Sequence, residues 1–256
     1  MLSTKTASHW LAHHNPNPAA QLRLFCFPYA GGGAILFQHW SKSLPHTVEV
    51  CPVQLPGRGN RWHEPPFTSL LPLVREVALG LLPYLDKPFV FFGHSMGALI
   101  SFELARLLRR EGKPMPEHLF VSSNNAPQIG STLPPIYDLP EPELMEELRR
   151  LNGTPKAAFE HPELMKLVLP LVSADFSVCQ THVYTDEPPL DCPISVFGGT
   201  LDPDVSREHL VQWQHQTTSA FSLQMFEGDH FYLHTARQQF LNTLSQELQL
   251  CTPMFV

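Results

Sequence analysis

The stretch Phe89-Val90-Phe91-Phe92-Gly93-His94-Ser95-Met96-Gly97 decides how this chain folds. Four apolar, β-prone residues run into a G-x-S-x-G pentapeptide, and a helical pattern continues from Ala98 to about Arg110. Strand, sharp turn and helix are the context in which that pentapeptide makes a nucleophile elbow. The turn strains the Ser95 backbone and exposes its hydroxyl at the sheet edge. Gly93 and Gly97 keep the flanks free of Cβ atoms, so strand and helix can approach closely. A pentapeptide this loose also arises by accident in turns, so the rest of the chain has to supply partners for Ser95.

An elbow serine needs an orienting carboxylate and a histidine base, in the chain order Ser, Asp or Glu, His. Pro193 to Phe197 reads as a short buried strand entering the turn Gly198-Gly199-Thr200-Leu201-Asp202-Pro203. Phe221 to Phe226 reads as another strand, followed by the loop Glu227-Gly228-Asp229-His230-Phe231. Asp202 and His230 thus leave successive strands at the edge that carries Ser95. Each has a plainer reading: Asp202 or Asp204 could simply cap a following helix, and a loop histidine is common in a chain with 14 of them. His230 and His234 have a spacing that suits a metal, but no Glu-x-x-His or Cys cluster accompanies them. Asp229 adjoins His230, yet adjacent side chains in an extended loop diverge, so Asp202 is the expected acid.

The first clear strand, Leu22 to Phe27, enters Pro28-Tyr29-Ala30-Gly31-Gly32-Gly33. A glycine-rich loop at this point could cradle a phosphate. It lacks the Gly-Lys-Ser/Thr ending of a P-loop and the G-x-G-x-x-G spacing. In a serine hydrolase of this topology the loop supplies one oxyanion N–H, and the residue after the nucleophile, here Met96, supplies the other.

Seven segments, in order, make the chain resemble the type II, or editing, thioesterases of polyketide and nonribosomal peptide assembly, members of the α/β-hydrolase superfamily. They are Phe27 to Gly32, Gln54-Leu55-Pro56-Gly57-Arg58-Gly59, Phe92 to Ala98, Leu151-Asn152-Gly153-Thr154-Pro155, Ala174-Asp175-Phe176, Gly198 to Pro203, and Gly228 to Phe231. The resemblance runs from about Leu22 to Gln249. It implies Ser95 as nucleophile, His230 as base, Asp202 as orienting acid, and Ala30 and Met96 as oxyanion donors. It implies no cofactor and no metal. The expected substrates are stalled or aberrant acyl groups on the phosphopantetheine arm of an acyl or peptidyl carrier protein. The family often has His where Tyr29 stands and Gly where Asn152 stands; neither position carries the chemistry.

Composition agrees with that expectation. The 256 residues suit one α/β-hydrolase domain, a mainly parallel sheet with helices on both faces. A net charge of −7 argues against nucleic acid or an anionic membrane as partner, and no apolar run reaches membrane-spanning length. Arg109-Arg110 and Arg149-Arg150 read as decorations of solvated helix faces. Residues 1–20 read as a flexible lead-in without the apolar core of a signal peptide. Five scattered cysteines without a Cys-x-x-Cys fit a reducing cytoplasm. The expected strands are 22–27, 48–53, 89–93, 118–123, 193–198 and 221–226. The expected helices are 34–42, 69–84, 97–111, 204–216 and 234–249.

Residues 127–190 interrupt this alternation with two helical patterns, Glu141 to Leu151 and Pro162 to Val183, punctuated by prolines. The interruption hangs over the edge of Ser95, so it reads as a mobile helical lid; the alternative is an ordinary packed insertion. The apolar positions Leu164, Leu167, Leu171 and Val172 are expected either to pack into the domain or to line the acyl path. A carboxylesterase or lipase would share the elbow and triad. A release-type thioesterase or acyltransferase stands closer still, but free-standing length favours the editing type. A non-catalytic binding protein of this fold would have no need of Ser95, Asp202 and His230 together.

Overall fold

The computed structural model describes residues 9–251. Its centre is a six-stranded parallel sheet in the order β2-β1-β3-β4-β5-β6. The strands are β1 (Leu22–Phe27), β2 (Val48–Pro52), β3 (Phe89–His94), β4 (Leu119–Ser122), β5 (Ile194–Gly199) and β6 (Phe221–Phe226). All but β6 are buried along their whole length, which explains their near-continuous apolar sequences: a parallel sheet is covered on both faces. Strand β6 alternates between partly exposed and exposed positions from Phe221 to Met225, as an edge strand does, and only Phe226 at its end is buried.

Side chains alternate between the two faces, and each face has its own core. On one face Phe25, Phe91, Val121 and Val196 pack against α1 (Leu70–Leu81) and α2 (Met96–Arg110). On the other, Leu24, Phe92, Phe120 and Phe197 meet Trp40 and the Phe240, Leu244 and Leu248 stripe of α7 (Arg237–Cys251). The remaining helices are α3 (Glu141–Leu151), α4 (Pro162–Gln180), α5 (Arg207–Val211) and α6 (Tyr232–Thr235).

The chain begins at β1, crosses to β2 at the sheet edge, then returns to β3 on the other side of β1. Connections from β1 and β3 therefore leave in opposite directions. That reversal opens a crevice at the carboxyl ends of the two strands, the usual ligand position in an open parallel sheet. The glycine-rich loop after β1 and the elbow after β3 both face it.

Several segments differ from the sequence reading; the expected helix 69–84, for one, ends as an α-helix at Leu81 and finishes as the 3-10 turn Leu82–Tyr84. Residues 34–42 form two short 3-10 turns, Ala34–Phe37 and Trp40–Lys42, instead of one helix; Phe37 and Trp40 are three residues apart, which suits a three-residue turn as well as an α-helix. Residues 204–216 divide into α5 and the 3-10 turn Gln212–Gln216. The expected flexible lead-in is anchored from Trp10 onward. Trp10 is 8% exposed, with the Arg61 guanidinium 4.0 Å over its ring. Its carbonyl accepts from Gln54 N–H at 2.8 Å, and Leu11 bridges to Val53. Residues 1–8 of that lead-in lie outside the described residues.

Between β4 and β5 the insertion holds α3, the 3-10 turn Lys156–Glu160 and α4. Helices α3 and α4 share a small core of Leu144, Leu148, Met165, Leu169 and Val172. Leu164 and Leu167 are 44% and 72% exposed. They neither pack inward nor line the Ser95 cavity, unlike both outcomes expected for them, whereas Leu171 is half-buried and Val172 buried.

Candidate active site

Ser95 sits between β3 and α2 with φ 53° and ψ −118°, a conformation that costs a non-glycine residue energy. Two hydrogen bonds hold it there: Ser95 N–H donates to Ser122 O at 2.8 Å, and Asn124 Nδ2 donates to Ser95 O at 2.6 Å. A Cβ on Gly93 would lie 2.1 Å from Gly97 O, and one on Gly97 would lie 2.1 Å from Phe27 O. The two glycines are therefore what lets strand, turn and helix close on one another.

Asp202 and His230 leave β5 and β6 and meet, with His230 Nδ1 2.7 Å from Asp202 Oδ2. The other oxygen, Asp202 Oδ1, accepts the N–H groups of Asp204 and Val205 at 3.0 and 3.1 Å. The capping role and the role of histidine partner are thus played by one carboxylate, which is 1% exposed. Asp229 is engaged elsewhere: it accepts from Phe231 N–H at 2.8 Å and from Asn152 Nδ2 at 3.0 Å. Asn152 itself ends α3 in a left-handed conformation, φ 59°, which only Gly or Asn fills at low cost.

Ser95, His230, Ala30 and Met96 line one cavity. Helix α2 begins at Met96, so the Met96 N–H has no partner within the helix. Among the described residues neither it nor the Ala30 N–H donates to a protein acceptor. The Ala30 loop is a tight turn, closed by Gly32 N–H to Tyr29 O at 2.9 Å, with Gly31 at φ +76°. Gly31 N–H donates to Asp175 Oδ2 of α4 at 2.7 Å. Asp175 also takes Arg58 Nη1 at 2.6 Å on Oδ2 and Nη2 at 2.8 Å on Oδ1, and Arg58 Nη1 reaches Gly32 O at 3.2 Å. A buried ion pair thus ties the insertion to the loop that carries Ala30.

Aromatic and imidazole rings pack around His230. His94, fully buried, lies 5.3 Å from it between ring centroids. Burial, reinforced by the neighbouring His230 and His234, pulls the His94 pKa well below the usual imidazole value, so this ring is neutral. Its Nδ1 is 2.7 Å from Ser122 Oγ, which is 2.6 Å from the Tyr232 hydroxyl. Tyr29 packs on His94 and Phe231, and its hydroxyl is 3.1 Å from His234 Nε2. Burial pushes the Tyr29 pKa up to about 12, so the hydroxyl stays protonated.

The structure brings together every residue the sequence singled out here. It also shows what the sequence reading missed. Asn124 pins the elbow from the loop after β4. Arg58 and Asp175 stood in two of the quoted segments without a role. Arg150, read as surface decoration, bonds Asp204 at 3.0 Å and so attaches α3 beside Asp202. Among the described residues His14, Glu49 and Cys51 could share a metal, but they lie at β2, away from this cavity.

The family model of the thioesterase domain matches residues 22–248. The gramicidin S biosynthesis protein GrsT of Aneurinibacillus migulanus is 46% identical, with 94% of each chain covered. LgrE of Brevibacillus parabrevis, named a linear gramicidin dehydrogenase, is 44% identical over 94% of this chain and 93% of its own. Among solved structures, the type II thioesterase BorB from the borrelidin biosynthetic cluster superposes with a TM-score of 0.83 at 32% identity, covering 94% of this chain and 97% of its own. The chain belongs to the thioesterase family, as a type II thioesterase of polyketide and nonribosomal peptide biosynthesis with the α/β-hydrolase fold, a serine hydrolase acting on thioesters.

Proposed function

We propose that Ser95, His230 and Asp202 form the catalytic triad and that the enzyme clears acyl groups from the phosphopantetheine arm of a carrier protein. One observation carries this reading. A serine on a strained elbow shares a cavity with a histidine whose far nitrogen is 2.7 Å from a buried carboxylate. His230 Nε2 takes the proton of Ser95 Oγ as that oxygen attacks the thioester carbonyl carbon. The carbonyl oxygen gains negative charge and meets the unpaired N–H groups of Ala30 and Met96; such donors are worth about 3–4 kcal/mol each to the transition state. The C–S bond breaks, and the thiol leaves with the proton from His230. Water then loses a proton to His230 and attacks the acyl-serine, which releases a carboxylic acid and restores Ser95. Asp202 holds the imidazole in the required tautomer throughout.

The insertion is a lid in this reading, which is supported by Leu151, Phe176 and Gln180 lining the cavity that contains Ser95. The editing role is supported by the likeness to the type II thioesterase BorB. The dehydrogenase name of LgrE describes another chemistry. The glycines at 31–33 do not have the G-x-G-x-x-G spacing of a dinucleotide loop. No helix among the described residues is long and apolar enough to cross a membrane, and the five cysteines are free; both suit work in the cytoplasm. The test compares acyl carrier protein thioesters, acyl-pantetheines and p-nitrophenyl esters of one acyl group. Faster turnover of the carrier-bound form is expected. A preference for the oxygen ester would instead make this an esterase.

A further inference from the structure

Glu49 and Cys51 stand two residues apart on β2, so both side chains point to one face of the sheet. Residues 11–17 run antiparallel along the outer edge of β2. Leu11 bridges to Val53, Ala12 N–H donates to Pro52 O at 3.3 Å, and Asn17 Nδ2 donates to His46 O at 2.7 Å. That course sets His14 beside Glu49, with Nε2 2.6 Å from Glu49 Oε1. A ligand atom from each of His14, Glu49 and Cys51 lies within 4.8 Å of the other two.

The donors are an imidazole nitrogen, a carboxylate oxygen and a thiol. Hard cations such as Mg²⁺ and Ca²⁺ take oxygen ligands, whereas zinc takes all three kinds. A tetrahedral ion with bonds of about 2.0–2.3 Å sets its ligands about 3.3–3.8 Å apart. The 2.6 Å contact and the 4.8 Å limit bracket that spacing.

The surroundings fit such an ion. Arg23 Nε is 3.3 Å from Glu49 Oε2, which leaves Oε1 for His14, and Arg23 Nη1 bonds Asp86 and the Tyr84 carbonyl. An outer partner of this kind orients a ligating carboxylate. Burial and the nearby Glu49 push the Cys51 thiol up, so an ion has to displace its proton to solvent. Glu49, Asp86 and the resulting thiolate then balance the charge of a divalent ion and Arg23. Glu49 is 4% exposed, yet it lines a cavity with His13 and His46, which offers an ion a route. His13, next to the cluster, is held at φ 55°, a conformation that costs a histidine energy.

We propose that His14, Glu49 and Cys51 bind one zinc-class divalent ion, which ties residues 9–14 to the edge strand of the sheet. The neutral imidazole, the carboxylate and the thiolate supply three ligands, and water takes the fourth position. The site stands apart from Ser95, and the inference is independent of the thioesterase reading.

Protein stripped with EDTA, dialysed against Zn²⁺ and passed through gel filtration should retain about one equivalent of metal. Free Zn²⁺ at about 100-fold its Kd should raise the melting midpoint by about 5 °C. Co²⁺ in its place should give the near-ultraviolet band of a cobalt–thiolate bond. His14→Gln, at a half-buried position where the amide can still bond Glu49, should weaken Zn²⁺ binding at least about 10-fold. Cys51→Ser should abolish the cobalt band. Cys251→Ser, which removes the other cysteine–histidine contact, 3.5 Å to His118 Nδ1, should leave the band intact. Melting in EDTA reports whether each variant is folded. Absence of retained zinc in the wild-type protein, binding untouched by His14→Gln, or a cobalt band that survives Cys51→Ser overturns the inference.

Discussion

Arg58 and Asp175 form a buried bidentate ion pair, 2.6 and 2.8 Å between partner atoms, that joins the loop after β2 to helix α4 of the insertion. The same carboxylate accepts the N–H of Gly31, next to Ala30 in the wall of the Ser95 cavity. One carboxylate thus fixes the insertion and the glycine-rich loop after β1 together. A buried pair of this kind is weak evidence for stability by itself, but breaking it by removing one partner is costly.

Arg58→Met leaves Asp175 buried without its cation and should destabilise the protein by about 3–5 kcal/mol. Asp175→Asn is milder, since the amide oxygen can still accept from Gly31. It should lower kcat more than it raises KM, because the oxyanion forms only in the transition state. Urea unfolding and steady-state kinetics measure the two effects. A rise in KM with kcat unchanged would show that the pair serves substrate binding instead.

Asp202→Asn should lower kcat by several orders of magnitude by presenting His230 with a donor and favouring the wrong tautomer. Asp229→Asn should cost far less, since Asp229 bonds Asn152 and the Phe231 N–H and not the His230 ring. The reverse ranking in kinetic assays would transfer the orienting role to Asp229.

His118 lies at the opposite end of the sheet. Its ring is stacked on Phe120, and its Nε2 is 2.8 Å from Ser195 Oγ. Burial lowers its pKa to about 4. The unfolded chain, with an ordinary imidazole near pH 6.5, therefore takes up a proton that the fold refuses. Stability is fully present above about pH 6.5 and is lost as pH falls toward 4, at up to about 1.4 kcal/mol per pH unit from this residue. His94 adds a loss of the same sign. His118→Gln should flatten the fall in melting temperature between about pH 6.5 and 4. An unchanged slope would assign the acid sensitivity to other groups.

The lid proposal divides the insertion. The second half of α4 is fixed by Asp175 and the buried Val172 and Val178, whereas α3 is attached near the site by the exposed Arg150 and Asn152. Hydrogen exchange should be faster in α3 and residues 156–160 than in β3, slower in the second half of α4, and damped in α3 when an acyl-pantetheine binds to Ser95→Ala. Uniform protection that ignores the ligand would mean a static insertion.

Much of this site was legible because its chemistry is local. The elbow, Asp202 and His230 each lie in a glycine-containing turn just after a recognisable strand, so residue order alone put them at one edge. The Gly31 turn could be read for the same reason. What escaped the sequence was long-range. The Arg58 and Asp175 pair spans 117 positions, and the Asn124 hold on Ser95 spans 29. No periodicity announces such contacts. Trp10 was missed because its polar, proline-containing surroundings resemble a tail, although a single buried tryptophan under Arg61 is enough to anchor the segment. The breaks at Gln38 and Gln212 reflect 3-10 geometry, which shares its spacing of apolar residues with the α-helix.

The central claim is that thioester hydrolysis passes through an acyl group on Ser95. Rapid quenching of wild-type protein with 3-hydroxybutyryl-pantetheine, followed by peptide mass mapping, should find the acyl mass on the peptide containing Ser95. Ser95→Ala should lack that adduct and lose roughly 10⁴-fold or more in kcat while keeping its melting temperature. Wild-type turnover by Ser95→Ala, or an acyl adduct on another residue, would contradict the account.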